Sequence, residues 1–216
     1  MLRPLALAGC LLAAPAAPEE TVEQIQKEAA ALRPLVTQPL ARDFLDATAD
    51  LPPARAVTAS VDGETAEFEP TYFYYTRYGT PLAYARALEL VAEAGLDDVE
   101  RKRVVDFGYG GIGHLHLLAQ LGAEVTGVEV DPWLEAIYAD VVGPVERADG
   151  PSGSVELVTG HFPGDRDVRA AVGGDYDLFL SKNVLKRGYI HPERPADPRH
   201  LVHLGVDDTT FVHAMH

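Results

Sequence analysis

Two carboxylates and a set of closely spaced glycines are the residues of this chain best suited to hold a ligand. Gly108, Gly110 and Gly113 stand in the spacing G-x-G-x-x-G, within the segment VVDFGYGGIGHLHLLAQLGAEVTGVEVDP. Asp106 lies just before the first glycine, and Glu129 lies near the end of the segment. Glycines let a backbone approach a ligand closely, and amides that open a helix present positive partial charge. The pattern predicts a nucleotide-type site with a carboxylate at its mouth.

The two carboxylates narrow the choice of ligand. Glu129 comes at the end of a predicted strand, where a carboxylate can accept hydrogen bonds from both hydroxyls of a ribose. That feature suits NAD and S-adenosylmethionine alike. Asp106 would face the pyrophosphate of NAD as a like charge, whereas S-adenosylmethionine carries an ammonium and a sulfonium and no phosphate. The residues favour S-adenosylmethionine, and an NAD-dependent oxidoreductase is the alternative.

The elements that must position these residues alternate along the second half of the chain. The segments RVVDFG, AEVTGVEV, SVELVTGHF and YDLFLSKNV are typical of strands, and GHLHLLAQLG, PWLEAIYADVVG and DRDVRAAVG of helices. Strands separated by helices predict right-handed crossovers and a parallel sheet. Ligands of such sheets lie at the carboxyl ends of the strands, near the first crossover. We therefore predict an α/β fold, a Rossmann-like doubly wound parallel sheet with an N-terminal helical extension.

Here the chain resembles the class I S-adenosylmethionine-dependent methyltransferases. The first motif of that family has an acid, a hydrophobic residue and then Gly-x-Gly, as DFGYGGIG does in this sequence. The resemblance implies that Asp106, Gly108 and Gly110 line the methionine moiety and that Glu129, in GVEVDP, holds the ribose. It also implies methyl transfer from S-adenosylmethionine to an acceptor, which we expect to be a small molecule.

The sequence departs from the family pattern at two positions. Ile112 stands where the family has its third glycine, and Gly113 follows one residue later, which indicates a slightly longer turn. After the third predicted strand, TGHFPGD places His161 where the family commonly has an aspartate near the adenine. By this resemblance His161 is a candidate to hydrogen-bond the adenine edge.

The segment after the fourth predicted strand, LSKNVLKRGYIHPE, is where the family brings its substrate to the methyl group. The Asn-Pro-Pro-Tyr signature of many amino-group methylators is absent from it. Ser181, Lys182 and Asn183 are therefore candidate wall residues without an assigned chemistry. Tyr189 and His191 are the nearest candidates for a general base, although ordinary structural roles in a loop are the favoured interpretation. No catalytic residue is assigned.

Composition limits the classes of partner. The chain of 216 residues has 33 aspartates and glutamates against 18 lysines and arginines, a formal net charge of −15. Such an acidic surface repels a phosphate backbone unless basic residues are concentrated somewhere, and the sequence shows no basic cluster. We expect no nucleic-acid partner and one domain of ordinary size with a small extension.

The residues that commonly ligate metals are too scattered to predict a metal site. Cys10 is the only cysteine, which excludes an internal disulfide and a thiolate cluster. His114 and His116 point to different faces of a predicted helix. His200 and His203 could share a helix face, but no acidic companion completes a known zinc pattern.

The N-terminal 78 residues divide into two parts. Residues 1–18, with Arg3 before an apolar run, are typical of a secretory signal peptide, and an Ala-rich extension is an equal alternative. The run is too short to span a bilayer. The signal-like segment predicts export, and a cytoplasmic protein is the alternative if the segment is not a signal. An exported, non-catalytic protein that keeps the fold is a third functional alternative. Residues 19–78 predict short helices and a hairpin that turns at Asp62 and Gly63.

Residues 79–216 are predicted to form an incomplete S-adenosylmethionine-binding domain. The segment GVDDTTFVHAMH predicts a helix at residues 207–216, and the fifth strand that the resemblance implies has no counterpart after it. The fourth strand, YDLFL, would then be an apolar sheet edge with unpaired backbone groups. We expect self-association through this edge.

Overall fold

A mainly parallel sheet forms the centre of the computed structural model, which describes residues 18–75, 79–147 and 150–182. Helices flank this sheet of five strands, and a helical region with a two-stranded hairpin precedes it. The arrangement is α/β and compatible with a Rossmann-like fold, which confirms the predicted fold class.

The described elements follow one another in the order helices, hairpin, then alternating strands and helices. The helices are α1 Pro18–Leu32, α2 Pro39–Asp46, α3 Pro70–Tyr74, α4 Ala85–Glu93, α5 Gly113–Gln120, α6 Pro132–Tyr138 and α7 Arg166–Val172. Short 3-10 helices lie at Arg33–Leu35, Ala47–Asp50 and Pro81–Tyr84. The strands are β1 Val57–Val61, β2 Glu64–Phe68, β3 Arg103–Phe107, β4 Glu124–Glu129, β5 Gly143–Val145, β6 Gly153–Thr159 and β7 Leu178–Leu180.

One strand of the main sheet departs from the sequence prediction. The helix predicted through PWLEAIYADVVG ends at Tyr138, and β5 pairs antiparallel with β6 at the edge of the sheet. Pro144 cannot continue a helix because its nitrogen carries no hydrogen, and an edge strand tolerates proline where no partner needs that hydrogen. The sheet is therefore mixed, with four parallel strands and one antiparallel edge strand.

The strand order places a switch point beside β3. The order across the sheet is β5-β6-β4-β3-β7, and β4 pairs parallel with both β3 and β6. The chain thus moves from β3 to β4 to β6 in one direction and then crosses to β7 on the other side of β3. Ligands of open α/β sheets bind at the carboxyl ends of the strands where the direction reverses. In this chain that point lies between β3 and β7.

Helices cover both faces of the sheet. Val104 and Val105 are consecutive in β3 and point to opposite faces. Val104 joins the large core that includes α5, whereas Val105 packs with Val168 and Val172 of α7. This alternation explains why the strand is apolar at successive positions.

The N-terminal extension shares its core with the sheet through α5. Residues 113–119 of this helix are all buried. It contacts β4 and β6 on one side, and the 3-10 helices Ala47–Asp50 and Pro81–Tyr84 on the other. A helix that is buried all round needs partners on every side, so the extension packs as a further layer and not as a separate unit.

The hairpin of the extension turns where the sequence predicted. Asp62 and Gly63 both have positive φ, 50° and 85°, and the flanking Val61 and Glu64 are partners in the register. Two successive positive φ values give the turn twist that suits a two-residue hairpin.

Several predicted features lie outside the described residues. These are residues 1–17 of the predicted signal segment, Asn183, Tyr189, His191, His200, His203 and the helix predicted at 207–216. Within the described ranges, no helix has both the length and the apolar character of a membrane span.

Candidate functional site

The predicted ligand residues lie at the carboxyl ends of three neighbouring strands. Asp106 is near the end of β3, Glu129 ends β4, and His161 follows β6. Backbone hydrogen bonds hold these ends side by side. The N–H of Gly108 donates to the carbonyl of Val128 over 2.7 Å, and the N–H of Gly160 donates to the carbonyl of Glu129 over 2.8 Å. The sequence therefore identified one contiguous edge of the sheet.

The glycines of the loop after β3 have two different roles. Gly108 and Gly110 have φ values of 75° and 61°, a conformation that residues with a Cβ rarely adopt. Gly113 instead permits close packing, since a Cβ there would lie 2.9 Å from Cβ of Pro81 and 3.2 Å from the carbonyl oxygen of Tyr74. The third glycine thus lets α5 approach the N-terminal extension.

Asp106 belongs to a buried side-chain cluster with Tyr84 and His114. The carboxylate is completely buried, and its Oδ2 accepts a hydrogen bond from the Tyr84 hydroxyl over 2.8 Å. The same oxygen contacts Nε2 of His114, and the rings of Tyr84 and His114 stack with centroids 3.7 Å apart. Oδ1 of Asp106 is buried and has no hydrogen-bond partner in the described part of the chain. One oxygen of this carboxylate therefore has partners within the protein, and the other has no hydrogen-bond partner among the described residues.

The surroundings of Tyr84 keep its hydroxyl protonated. Burial, followed by the charge of Asp106, raises the pKa of Tyr84 far above its ordinary range. Tyr84 is consequently a hydrogen-bond donor to Asp106 at neutral pH.

Glu129 lies in a more accessible setting than Asp106. Its side chain is partly buried, and the N–H of Val130 donates to Oε1 over 2.8 Å. Burial raises the pKa of Glu129, and the N–H groups of Val130 and Gly110 oppose that effect. A half-desolvated carboxylate gains from further hydrogen-bond donors, and the two hydroxyls of a ribose are such donors.

His161 reaches the same edge, but its side chain is exposed. Its backbone N–H donates to the carboxylate of Asp165 over 3.0 Å, which fixes the start of the loop after β6. The structure therefore places His161 next to Glu129 along the sheet edge and leaves its imidazole free to turn toward a ligand.

Lys182 lies on the far side of the switch point. Asp106 is paired with Leu180 of β7, so Ser181 is level with Phe107, the last residue of β3, and Lys182 lies one residue beyond the strand end. The Lys182 ammonium lies 5.9 Å from the centroid of the Tyr84 ring. Of the three predicted wall residues, Ser181 and Lys182 are within the described chain and border the crevice.

Tyr84 and His114 were not predicted as site residues. His114 is eight positions from Asp106, and Tyr84 is 22 positions away in a segment without any recognisable motif. Only tertiary packing brings them together, because the 3-10 helix Pro81–Tyr84 contacts α5, the helix that carries His114. His116 points the other way, as predicted, and its Nε2 lies 3.0 Å from the carbonyl oxygen of Val141.

Two cavities in the described part of the chain lie away from this edge. No group of three or more potential metal ligands occurs among the described residues. A cavity of about 760 Å³ borders Ala47, Gln120 and Val145, and another of about 480 Å³ borders α6, β5 and β6. The candidate ligand residues lie at the sheet edge and line neither cavity.

Neither a protein-family model nor a curated protein matches the chain.

Proposed function

We propose that this chain binds S-adenosylmethionine at the carboxyl edge of β3 and β4 and transfers its methyl group to a small-molecule acceptor. The observation that carries the proposal is the placement of Asp106 and Glu129 on adjacent strand ends, beside the switch point, with Gly108 and Gly110 between them. Oδ1 of Asp106 has no hydrogen-bond partner in the described chain, which favours a ligand that brings positive charge. The partly buried carboxylate of Glu129 favours a ligand that brings hydroxyl donors.

Methyl transfer from S-adenosylmethionine requires little of the protein beyond positioning the two reactants. When S-adenosylmethionine is bound, a nucleophile of the acceptor displaces the sulfide from the methyl carbon, and the acceptor loses a proton. Glu129 would hold the ribose, Asp106 would favour the cationic end, and the loop of Gly108 and Gly110 would let the ligand lie against the backbone. Holding two reactants in line can supply most of the rate enhancement.

The crevice beside β7 is where the acceptor would lie. Lys182 is a cation among the carboxylates of this edge, and no described residue forms an ion pair with it. An ammonium there would attract an acceptor that carries negative charge or an oxygen nucleophile.

One contact favours the NAD-dependent alternative. Asp106 would repel a pyrophosphate as an isolated carboxylate, but its Oδ2 accepts a hydrogen bond from the Tyr84 hydroxyl and contacts Nε2 of His114, and such contacts reduce the negative charge that a phosphate would meet. The oxidoreductase hypothesis therefore keeps a physical basis, and direct binding must decide between the two ligands.

Calorimetric titration of the full chain with S-adenosylmethionine, S-adenosylhomocysteine and NAD in parallel tests the proposal. We expect the first two to bind and NAD to bind at least tenfold more weakly. Asp106→Asn should weaken S-adenosylmethionine and leave NAD unchanged or improved, whereas Asp97→Asn, in an exposed loop, should change neither. Binding of NAD alone, lost in Asp106→Asn, would establish the oxidoreductase instead.

A further inference from the structure

Two hydrogen-bond acceptors without partners border a cavity beside α5. This α5 cavity, of about 760 Å³, borders His116, Gln120 and Val145, and its volume is typical of small-molecule sites. Nδ1 of His116 and Oε1 of Gln120 are buried and have no hydrogen-bond partner in the described chain. Such atoms are uncommon in folded proteins, because each costs free energy until a ligand or a water supplies the partner.

Both side chains have their polar groups at the wall of the cavity. They are four positions apart in α5 and therefore share one face of the helix. Nε2 of His116 lies 3.0 Å from the carbonyl oxygen of Val141, and Nε2 of Gln120 donates to the carbonyl oxygen of Asp50 over 2.7 Å. Val141 and Asp50 themselves border the α5 cavity. Each side chain thus directs a nitrogen to a wall residue and retains an acceptor without a partner.

The protonation of His116 defines what the α5 cavity lacks. Only 4% of this residue is exposed, and burial lowers the pKa of the imidazole. The ring is therefore neutral at neutral pH, with its proton on the Nε2 that faces a carbonyl oxygen. Nδ1 is then an acceptor, as is Oε1 of Gln120. Both atoms call for hydrogen-bond donors from a ligand.

The charges around the α5 cavity favour a cation. Four exposed carboxylates and one guanidinium border it, namely Asp43, Asp46, Asp50, Glu146 and Arg147. Arg33 pairs with Asp46, whereas Asp43 and Asp50 form no ion pair with any described residue. Carboxylates that outnumber the cations of a cleft raise the local concentration of positively charged ligands.

The other residues of the α5 cavity favour an organic cation over a metal ion. Pro52, Leu121 and Val145 border it and offer apolar contacts to methylene groups. No group of three or more potential metal ligands occurs among the described residues. A ligand with several N–H donors on an aliphatic chain matches the acceptors, the carboxylates and the apolar wall together.

We infer that the α5 cavity binds an aliphatic diamine or polyamine, whose ammonium groups donate to Nδ1 of His116 and Oε1 of Gln120 and pair with the bordering carboxylates. Four residues of a helix advance about 6 Å along its axis. The two nitrogens of a four-carbon diamine are separated by a similar distance. One such ligand can therefore serve both acceptors.

The α5 cavity is separate from the proposed methyl-transfer site. Val145 pairs with Gly153, the first residue of β6, so the cavity lies toward the amino ends of the parallel strands. Glu129 is the last residue of β4 and lies at the opposite, carboxyl ends. The inference therefore does not depend on the proposed function.

Calorimetric titration of the full chain with putrescine, a four-carbon diamine, and with spermidine tests the inference. We expect both to bind at neutral pH. The bis-quaternary analogue of putrescine, in which methyl groups replace every N–H, keeps the charge but cannot donate hydrogen bonds. Mg²⁺ measures attraction to an acidic surface alone. We expect each of these two controls to bind at least about tenfold more weakly, because the hydrogen bonds from the ammonium groups are lost.

Two variants locate the site, each with a matched control. Gln120→Leu removes one acceptor and should weaken putrescine about tenfold, the usual effect of losing a hydrogen bond to a charged group. Gln24→Leu, on an exposed position of α1, should leave the affinity unchanged. Asp50→Asn removes an exposed carboxylate of the cavity and should weaken putrescine severalfold, whereas the exposed Asp97→Asn should not.

Absence of putrescine binding to the parent chain would overturn the inference. Equal affinity for putrescine, its bis-quaternary analogue and Mg²⁺ would also overturn it, because attraction to the acidic surface would then explain the binding. Unchanged putrescine affinity in folded Gln120→Leu would remove the ligand from the α5 cavity. If Gln120→Leu does not fold, Asp50→Asn decides in its place, since an affinity equal to that of Asp97→Asn has the same consequence.

Discussion

Asp106 and Glu129 carry the same formal charge but meet a ligand in different ways. Asp106 is enclosed by Tyr84 and His114, so it acts on a ligand mainly through its charge. Glu129 is only partly buried and is bonded to backbone N–H groups, so it can accept hydrogen bonds directly. At the scale of single residues, Glu129 therefore gives the sharper test of the ribose assignment.

Glu129→Ala should weaken S-adenosylmethionine binding by about 1.5 to 3 kcal/mol, the range for hydrogen bonds to a charged group. This corresponds to roughly 10- to 150-fold in affinity, measurable by calorimetry. Glu124→Ala is the matched control, because Glu124 is exposed at the amino end of the same strand. An unchanged affinity in folded Glu129→Ala would remove Glu129 from the site.

At the scale of elements, α5 and α2 show how the extension is attached. Gly113 brings α5 against Pro81, and the buried Glu89 of α4 accepts hydrogen bonds from the N–H groups of Thr37 and Gln38 at the start of α2. A carboxylate at a helix N-terminus satisfies free amides and complements the helix dipole.

Gly113→Ala should lower the free energy of unfolding by about 1 to 2 kcal/mol, because the overpacking cost exceeds the gain in helix propensity. The new methyl group would meet both a proline ring and a backbone oxygen, and the backbone cannot move aside cheaply. Gly174→Ala is the control, since nothing lies within 4 Å of a Cβ at that position. Urea denaturation should show the control within about 0.5 kcal/mol of the parent. Equal stability of the two variants would contradict the packing role.

Glu89→Gln should destabilise the fold near neutral pH and much less in acid. The N–H groups of Gln38 and then Thr37 hold the pKa of Glu89 below its ordinary value of 4.5. A lowered pKa in the folded state means that the stabilisation is present above the unfolded pKa and is lost as the pH falls through the folded pKa. Thermal unfolding at pH 7 and at about pH 3.5 should therefore show a parent-to-variant difference that shrinks in acid. The exposed Glu93→Gln on the same helix should show no such change.

At the scale of the whole molecule, the sheet has an apolar edge in its described part. β7 pairs with β3 on one side, and no described strand pairs with its other side. Phe179 is 42% exposed and forms ring contacts with Phe107, Phe162 and Tyr176 at centroid distances of 5.7 to 6.4 Å. An unpaired edge beside an exposed aromatic group favours pairing with another chain.

We predict that the full chain self-associates with increasing concentration and that Phe179→Thr shifts it toward monomer. Sedimentation equilibrium over a range of concentrations measures this directly. Leu90→Gln is the control, because Leu90 is 50% exposed on α4, away from the edge. A monomer at all concentrations, or an equal shift by both variants, would refute association through β7.

Local sequence patterns predicted the order of strands and helices along the chain and the hairpin turn. They also predicted the sheet edge that holds Asp106, Gly108, Gly110 and Glu129. Hydrophobic periodicity and glycine spacing are short-range signals, and they determine which segments become strands and where a loop can approach a ligand. The antiparallel β5 escaped prediction because three residues carry too little periodicity to signal a strand.

The surroundings of Asp106 could not be predicted, because they depend on contacts between distant segments. Tyr84 reaches the carboxylate only when the 3-10 helix Pro81–Tyr84 packs on α5, and His114 reaches it only when α5 docks on the sheet. The role of Gly113 likewise follows from the position of Pro81 and not from the glycine motif. By itself the sequence determined the residue types and the sheet edge that carries them. Tertiary packing decided their burial, partners and charge, since these arise from groups that neither periodicity nor spacing connects.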